Sequence, residues 1–264
     1  MAFVAFAIGK KKLFFHRRTC KRKDEKLANL LKSKNINFVS IPCVKQEKTE
    51  EFDHLVQSIA KLKDNHHNWL VITSPEAADM LIEAWKLSGK PTLPLLAAVG
   101  KSTAHRLYHL VENNNDLFIP TIATGKSLAE QLPILKQNTK VYYPTSALAS
   151  PSMEQILRER GCRVVRWNIY TTVPCEWTWE QQKLAESCSI VALGSPSAVG
   201  IWSERVAYKT ISACIGKTTA DACHKFGFKL IFSAKEPGME GWASAIEEAV
   251  DYASKTHNKI LHSE

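Results

Sequence analysis

The chain has 264 residues, enough for one large or two ordinary domains, and 45% of them are hydrophobic, enough for full cores. No apolar run approaches the roughly 18 residues that a membrane-crossing helix needs, so a membrane partner is not expected. The net charge of +9 is concentrated in Lys10, Lys11, Lys12, Arg17, Arg18, Lys21, Arg22 and Lys23, a stretch without an acid, and the remainder is near neutral, which argues against a nucleic-acid surface.

In chain order, Leu13-Phe14-Phe15 reads as a short first strand and Asp24–Lys34 as an amphipathic helix with Leu27, Leu30 and Leu31 on one face. Ile36–Ile41 is a strand stopped by Pro42, and the polar Lys45–Glu51 reads as a crossover. Phe52–Leu62 is helix, Trp69–Ile72 strand, and Pro75–Leu87 helix. Leu95–Val99 is strand, Lys101–Val111 helix, and Phe118 a brief strand. Gly125 opens a helix over Lys126–Leu132, Val141–Tyr143 is strand, and Pro151–Arg160 is helix behind Ser150 as its cap. Cys162–Trp167 is strand and runs into Asn168–Pro174. After it come helix Trp177–Glu186, strand Ile190–Leu193, helix Pro196–Val206, strand Ile211–Ile215, helix Lys217–Phe226, strand Leu230–Phe232 and helix Met239–Tyr252.

This alternation predicts an α/β fold of parallel, doubly wound sheets. Two phrases occur twice. Leu70-Val71-Ile72-Thr73-Ser74-Pro75 matches Val191-Ala192-Leu193-Gly194-Ser195-Pro196. Gly100-Lys101-Ser102-Thr103-Ala104 matches Gly216-Lys217-Thr218-Thr219-Ala220. A repeat spaced this widely means two similar units. A third match joins Leu30–Val39 to Ile156–Val165. Its first copy precedes the first Ser-Pro phrase, whereas its second follows it, so the N-terminal segment is expected to complete the C-terminal domain. Residues 1–42 with 172–264 form one expected domain and 48–167 the other. Linkers 43–47 and 168–171 then make a two-stranded hinge over a cleft.

Each Ser-Pro phrase is a buried strand feeding a helix, with Ser as cap and Pro at the first helical position. Helix N-termini at the carboxyl ends of strands suit anions. Ser74 and Ser195 would serve equally as plain caps. Lys101 and Lys217 sit against the helix dipole, at about 0.3–1 kcal/mol each, which is eased by an anionic ligand or by simple exposure. The three Gly-Lys-[Ser/Thr] phrases lack the earlier glycine of a phosphate-binding loop, and no dinucleotide or Gly-x-Ser-x-Gly pattern occurs. Seven scattered cysteines without Cys-x-x-Cys disfavour zinc. Cys188, Cys214 and Cys223 read as reduced core thiols, hence a reducing compartment. The basic start fits either part of an organelle-targeting segment or a solvated arm.

The phrases Ile72–Pro75, Val99–Ala104, Asn168–Pro174, Ser195–Ala198 and Ile215–Ala220, in this order, resemble the uroporphyrinogen-III synthase family from about Lys12 to Val250. Lys235–Trp242 and Glu83–Trp85 resemble its plant branch, which implies the chloroplast, with cytoplasm as the alternative. The resemblance implies a monomeric, cofactor-free, metal-free cyclase of hydroxymethylbilane, a linear tetrapyrrole with eight carboxylates. It also implies a transient contact with the upstream bilane-forming enzyme. Carried over by motif, Thr73, Ser74, Ser102, Thr103, Ser195, Ser197, Thr218 and Thr219 would bind substrate. Arg17 would join them, although His16 stands where the family often has Thr, as would Lys101 and Lys217, where the family does not hold Lys. Tyr170 matches the family's linker tyrosine, the expected donor to the departing hydroxyl. The rival expectation is a two-domain module that binds an anionic ligand without chemistry.

Overall fold

A computed structural model of the chain describes residues 4–8, 21–62, 67–111, 116–134, 136–206, 211–236 and 238–261. In chain order it gives β1 (Val4–Ile8), α1 (Lys21–Ser33), β2 (Phe38–Pro42), β3 (Val44–Lys48), α2 (Glu51–Ile59), β4 (Trp69–Ile72) and α3 (Pro75–Leu87). Then follow β5 (Leu95–Ala98), α4 (Lys101–Leu107), β6 (Leu117–Phe118), α5 (Gly125–Gln131), β7 (Lys140–Ser146), α6 (Ser152–Glu159) and β8 (Arg163–Pro174). The last third is α7 (Trp179–Glu186), β9 (Ile190–Leu193), α8 (Pro196–Arg205), β10 (Ile211–Cys214), α9 (Lys217–Lys225), β11 (Ile231–Ser233) and α10 (Met239–Leu261). The chain divides into two compact units, Met1–Lys45 with Val173–Glu264, and Gln46–Thr172.

The first unit carries a parallel sheet ordered β11-β10-β9-β1-β2. β1 lies between two strands of opposite connection sense, so the topology switches between β1 and β9. The chain's N-terminal strands thus share a sheet with its C-terminal ones. One face packs Leu27 and Leu31 of α1 and Trp242 and Ile246 of α10 against Ile190 and Ala192. The other packs Trp202 and Val199 of α8 and Cys223 of α9 against Val191 and Leu193.

The second unit has the order β3-β8-β7-β4-β5-β6. From β8 to β6 the pairing is parallel, and the switch falls between β4 and β7. The β4 residues alternate between faces as a strand must. Leu70 and Ile72 meet α2, α3 and α4, while Trp69 and Val71 meet α5 and α6. Burial on both faces explains why β4 and β9 read as unbroken apolar runs.

Some sequence expectations change, and one lies outside the described residues. The strand expected at Leu13–Phe15 lies outside the described residues, and the first described strand is Val4–Ile8. The polar crossover is instead the edge strand β3. The Cys175 N–H donates to the Cys43 carbonyl and the Thr49 N–H to the Ile169 carbonyl, so β3 runs antiparallel to β8. Ser150 does not cap α6, whose N-cap is Pro151 without a side-chain bond. Tyr170, expected in a linker, lies within β8, which continues to Pro174 alongside β3. The described cysteines, Cys43, Cys162, Cys175, Cys188, Cys214 and Cys223, are free thiols and buried. Burial pushes the Cys43 thiol up to about 12 and the Cys188 thiol to about 11, so both stay protonated.

Candidate functional site

In the second unit, the switch between β4 and β7 gathers four hydroxyl groups. Thr73 and Ser74 leave β4 on opposite faces. Thr73 Oγ1 lies 3.3 Å from the hydroxyl of Tyr143 on β7, and Ser74 Oγ lies 2.9 Å from that of Tyr170 on β8. Ser74 also caps α3, accepting from the Ala77 N–H at 3.0 Å. Open α/β sheets bind ligands outside the carboxyl ends of their strands, at the switch point. Tyr170 is only 6% exposed. Burial pushes its phenol above the ordinary tyrosine value; Ser74 pulls the other way, and Glu76 and Tyr143 add to the rise. The phenol is therefore a donor throughout the physiological range.

Farther along the same edge, the β5–α4 turn exposes Lys101 and Ser102, while Thr103 is buried behind them. Thr124 caps α5 by accepting from the Ser127 N–H at 3.1 Å. The turn after β7 is braced by Arg166, which donates to the carbonyls of Ser146 (3.3 Å) and Ala149 (3.0 Å) and to Asn168 Oδ1 (2.8 Å).

The first unit repeats the pattern with fewer hydroxyls. Ser195 caps α8, accepting from the Ala198 N–H at 3.2 Å, and its Oγ stands 3.1 Å from that of Ser197. Gly216 opens α9 without a side-chain cap. Thr218 is exposed and Thr219 buried, the same alternation as Ser102 and Thr103. The solvent-facing member of each pair is thus the earlier residue, and Thr103 and Thr219 face the packed interior. Lys217 is 87% exposed and pairs with Asp221 at 3.0 Å, one helical turn on. That carboxylate accounts for a lysine at this end without any ligand. Arg17 lies outside the described residues.

Tyr143 and Arg166 join the candidate site; of the two, the sequence reading named only Tyr143, as the start of the stretch Tyr143–Ser146 where relatives commonly carry a Gly-containing loop. The signal for Tyr143 was present, because Val141–Ser146 also runs from apolar strand to hydroxyls. Arg166 had none, since the Ser146 and Ala149 carbonyls that it braces are brought to it only by the fold. Among the described residues, no group of three or more His, Cys, Asp or Glu is placed to hold a metal ion. No described helix is long and apolar enough to cross a membrane.

Two doubly wound sheets, one with the hydroxyl-capped helices α3 and α5 at its carboxyl edge and the other with the hydroxyl-capped α8, define a tandem α/β protein. The family model described as uroporphyrinogen-III synthase HemD matches residues 25–244. The chloroplastic uroporphyrinogen-III synthase of Oryza sativa subsp. japonica is 37% identical over 238 residues, covering 86% of this chain and 78% of that protein. Two solved uroporphyrinogen III synthases share the fold. The Helicobacter pylori structure has a TM-score of 0.62 at 16% identity, over 96% of this chain and 100% of that one. A mutant form of the Thermus thermophilus protein has a TM-score of 0.54 at 19% identity, with 96% and 100% covered. The chain belongs to the uroporphyrinogen-III synthase family, the cyclising lyases of tetrapyrrole biosynthesis.

Proposed function

We propose that the chain converts hydroxymethylbilane to uroporphyrinogen III, with Tyr170 assisting loss of the terminal hydroxyl. One observation carries the residue assignment: the Ser74–Tyr170 hydroxyl pair at the switch point. A Ser hydroxyl has one proton and two lone pairs. With the Ala77 N–H on one lone pair, Ser74 can still give its proton to the Tyr170 oxygen. The phenol O–H is then directed at the leaving group rather than consumed internally.

In the first step the hydroxymethyl C–O bond breaks. The oxygen leaves as water, and the adjoining pyrrole gives up its N–H proton, leaving an azafulvene. The substituted carbon of ring D attacks that exocyclic carbon and forms a spiro intermediate. Fragmentation and reclosure on the other side of ring D invert it and close the type III macrocycle. The protein's work is to hold a flexible chain in one geometry and to stabilise charge at the departing oxygen. The capped N-termini of α3 and α8, the N-terminus of α9, and the hydroxyls of Thr73, Ser102, Ser195, Ser197 and Thr218 are suited to the substrate carboxylates. Plastid location is supported by the rice relative, which is described as chloroplastic.

The test is to mix purified protein with freshly generated hydroxymethylbilane and resolve the products. Type III in excess over the buffer control is expected. Type I alone, formed at the buffer rate, would overturn the reading.

A further inference from the structure

The carboxyl edge of the second unit carries two aliphatic side chains where solvent-exposed turns usually carry polar ones. Leu148, in the turn between β7 and α6, is 70% exposed, and Ile122, in the turn between β6 and α5, is 64% exposed. Single exposed aliphatics are ordinary. These two differ in how firmly they are held and in what adjoins them.

The Ile122 turn is gripped from behind. The Thr121 N–H donates to Gln131 Oε1 at 3.0 Å, and Gln131 Nε2 donates to Thr121 Oγ1 at 2.8 Å. The Thr124 N–H closes on the Ile122 carbonyl at 2.8 Å. The Leu148 turn is gripped by Arg166, and the Leu148 N–H donates to Ser146 Oγ at 3.1 Å. The Ala147 N–H, next door, donates to the carbonyl of Tyr170 at 2.8 Å. Leu148 is therefore fixed one residue from a direct bond to Tyr170.

The helices that follow the two turns approach each other, and the Ile122 turn approaches the β5–α4 turn. A Cβ added to Gly125 would stand 3.6 Å from the Met153 Cβ, which ties the start of α5 to the start of α6. A Cβ added to Gly100 would stand 3.1 Å from the Ala123 Cβ. Both approaches, and the Ala147–Tyr170 bond, lie inside one unit and at the same edge of its sheet.

We infer that Ile122 and Leu148 form an apolar lip that seats pyrrole-ring faces of the bilane and orders the chain beside Tyr170. This rests on the reading of the site given above. The substrate's chemistry has two parts, carboxylates and flat apolar rings, and the edge has one surface for each. Polar groups that fix orientation among apolar groups that supply contact are the usual make-up of a small-molecule site. Aliphatic contact of this kind is made equally in the ground and transition states, so its loss raises KM and spares kcat.

The test is steady-state kinetics of Ile122→Ser, Leu148→Ser and the double variant on freshly generated hydroxymethylbilane. Leu87→Ser is the control, because Leu87 is also 64% exposed but ends α3, away from this edge. The expected result is a KM rise of about fivefold or more for each single variant and a larger rise for the double. Values of kcat should stay within about twofold, and the control should match wild type. Wild-type KM in all three lip variants, with active wild type, would overturn the lip alone. Absence of type III product from the wild type would overturn the reading on which the lip depends. Thermal melting of each variant excludes a folding defect, since all three positions are solvent-facing.

Discussion

The oxygen of Ser74 sits in two hydrogen bonds, and its counterpart Ser195 separates their effects. Each serine caps a helix by accepting from the N–H three residues on. Loss of either cap costs about 1 kcal/mol, or about 2–4 °C in the melting midpoint for a chain of this size. Only Ser74 also touches a tyrosine. Ser74→Ala is therefore expected to lose more stability than Ser195→Ala, by the part-buried bond to Tyr170, and only Ser74→Ala lowers kcat, by about threefold or more. Parallel melts and initial rates check this, and equal kcat in the two variants would separate Ser74 from the chemistry. Tyr170→Phe removes the donor itself and is expected to lower kcat by about tenfold, about 1.4 kcal/mol in barrier. The ring stays, so stability falls only by one hydrogen bond, about 1 kcal/mol. The pH dependence has a definite sign. The folded-state phenol titrates above its unfolded value, because burial opposes the anion. Its contribution to stability is whole below about pH 10 and is lost as pH rises through the folded-state value. The wild-type rate should show no alkaline fall below about pH 10, and Tyr170→Phe should melt less steeply with pH above it.

At the scale of elements, what was legible tracks burial. Trp69–Ile72, Pro75–Leu87 and Ile190–Leu193 stand where the apolar run, the hydroxyl cap and the following proline place them. β3 was hidden because an edge strand with Lys45, Gln46, Glu47 and Lys48 has no apolar face to betray it, charged edges being a device against aggregation. The length of β8 was hidden because its pairing slips at Thr145/Ser146, so alternation past Trp167 does not keep a clean period. The site was legible as hydroxyls at strand ends but not as pairs, since Thr73–Tyr143 and Ser74–Tyr170 depend on strand order. Trp242 is buried, donates to the Ala213 carbonyl at 3.0 Å, and lies 3.0 Å from where a Cβ on Gly194 would sit. Gly241 holds that tryptophan in place by letting the Glu236 carbonyl approach, 1.9 Å from where its Cβ would be. Backbone cannot yield as a flexible side chain can. Gly241→Ala is therefore expected to cost about 3 kcal/mol, well beyond either cap variant, and denaturant midpoints with an unchanged m value would confirm it.

At the scale of the whole molecule, the division of the chain makes a claim about autonomy. The second unit is continuous in sequence, Gln46–Thr172, and its sheet is buried by its own helices on both faces. A domain with its own core folds alone. The first unit is split: β1 needs β9 on one side and β2 on the other, and β9 arrives after the second unit is complete. A fragment spanning residues 46–172 should therefore be a monomer with one cooperative melt. Trimming it to 48–167 removes Gln46 and Glu47 of β3 together with Ile169 and Tyr170, the latter two in its core, and should weaken it. A fragment spanning 1–172 contains the same second unit plus β1 and β2 without β9, β10 and β11. Those two strands would present unpaired edge groups and an uncovered apolar face, so this longer fragment should aggregate where the shorter one does not. Size-exclusion chromatography and calorimetry on the three fragments decide the matter. If 1–172 is monomeric and melts more sharply than 46–172, the N-terminal strands find their partner inside the first 172 residues, and the split assignment of the first unit fails.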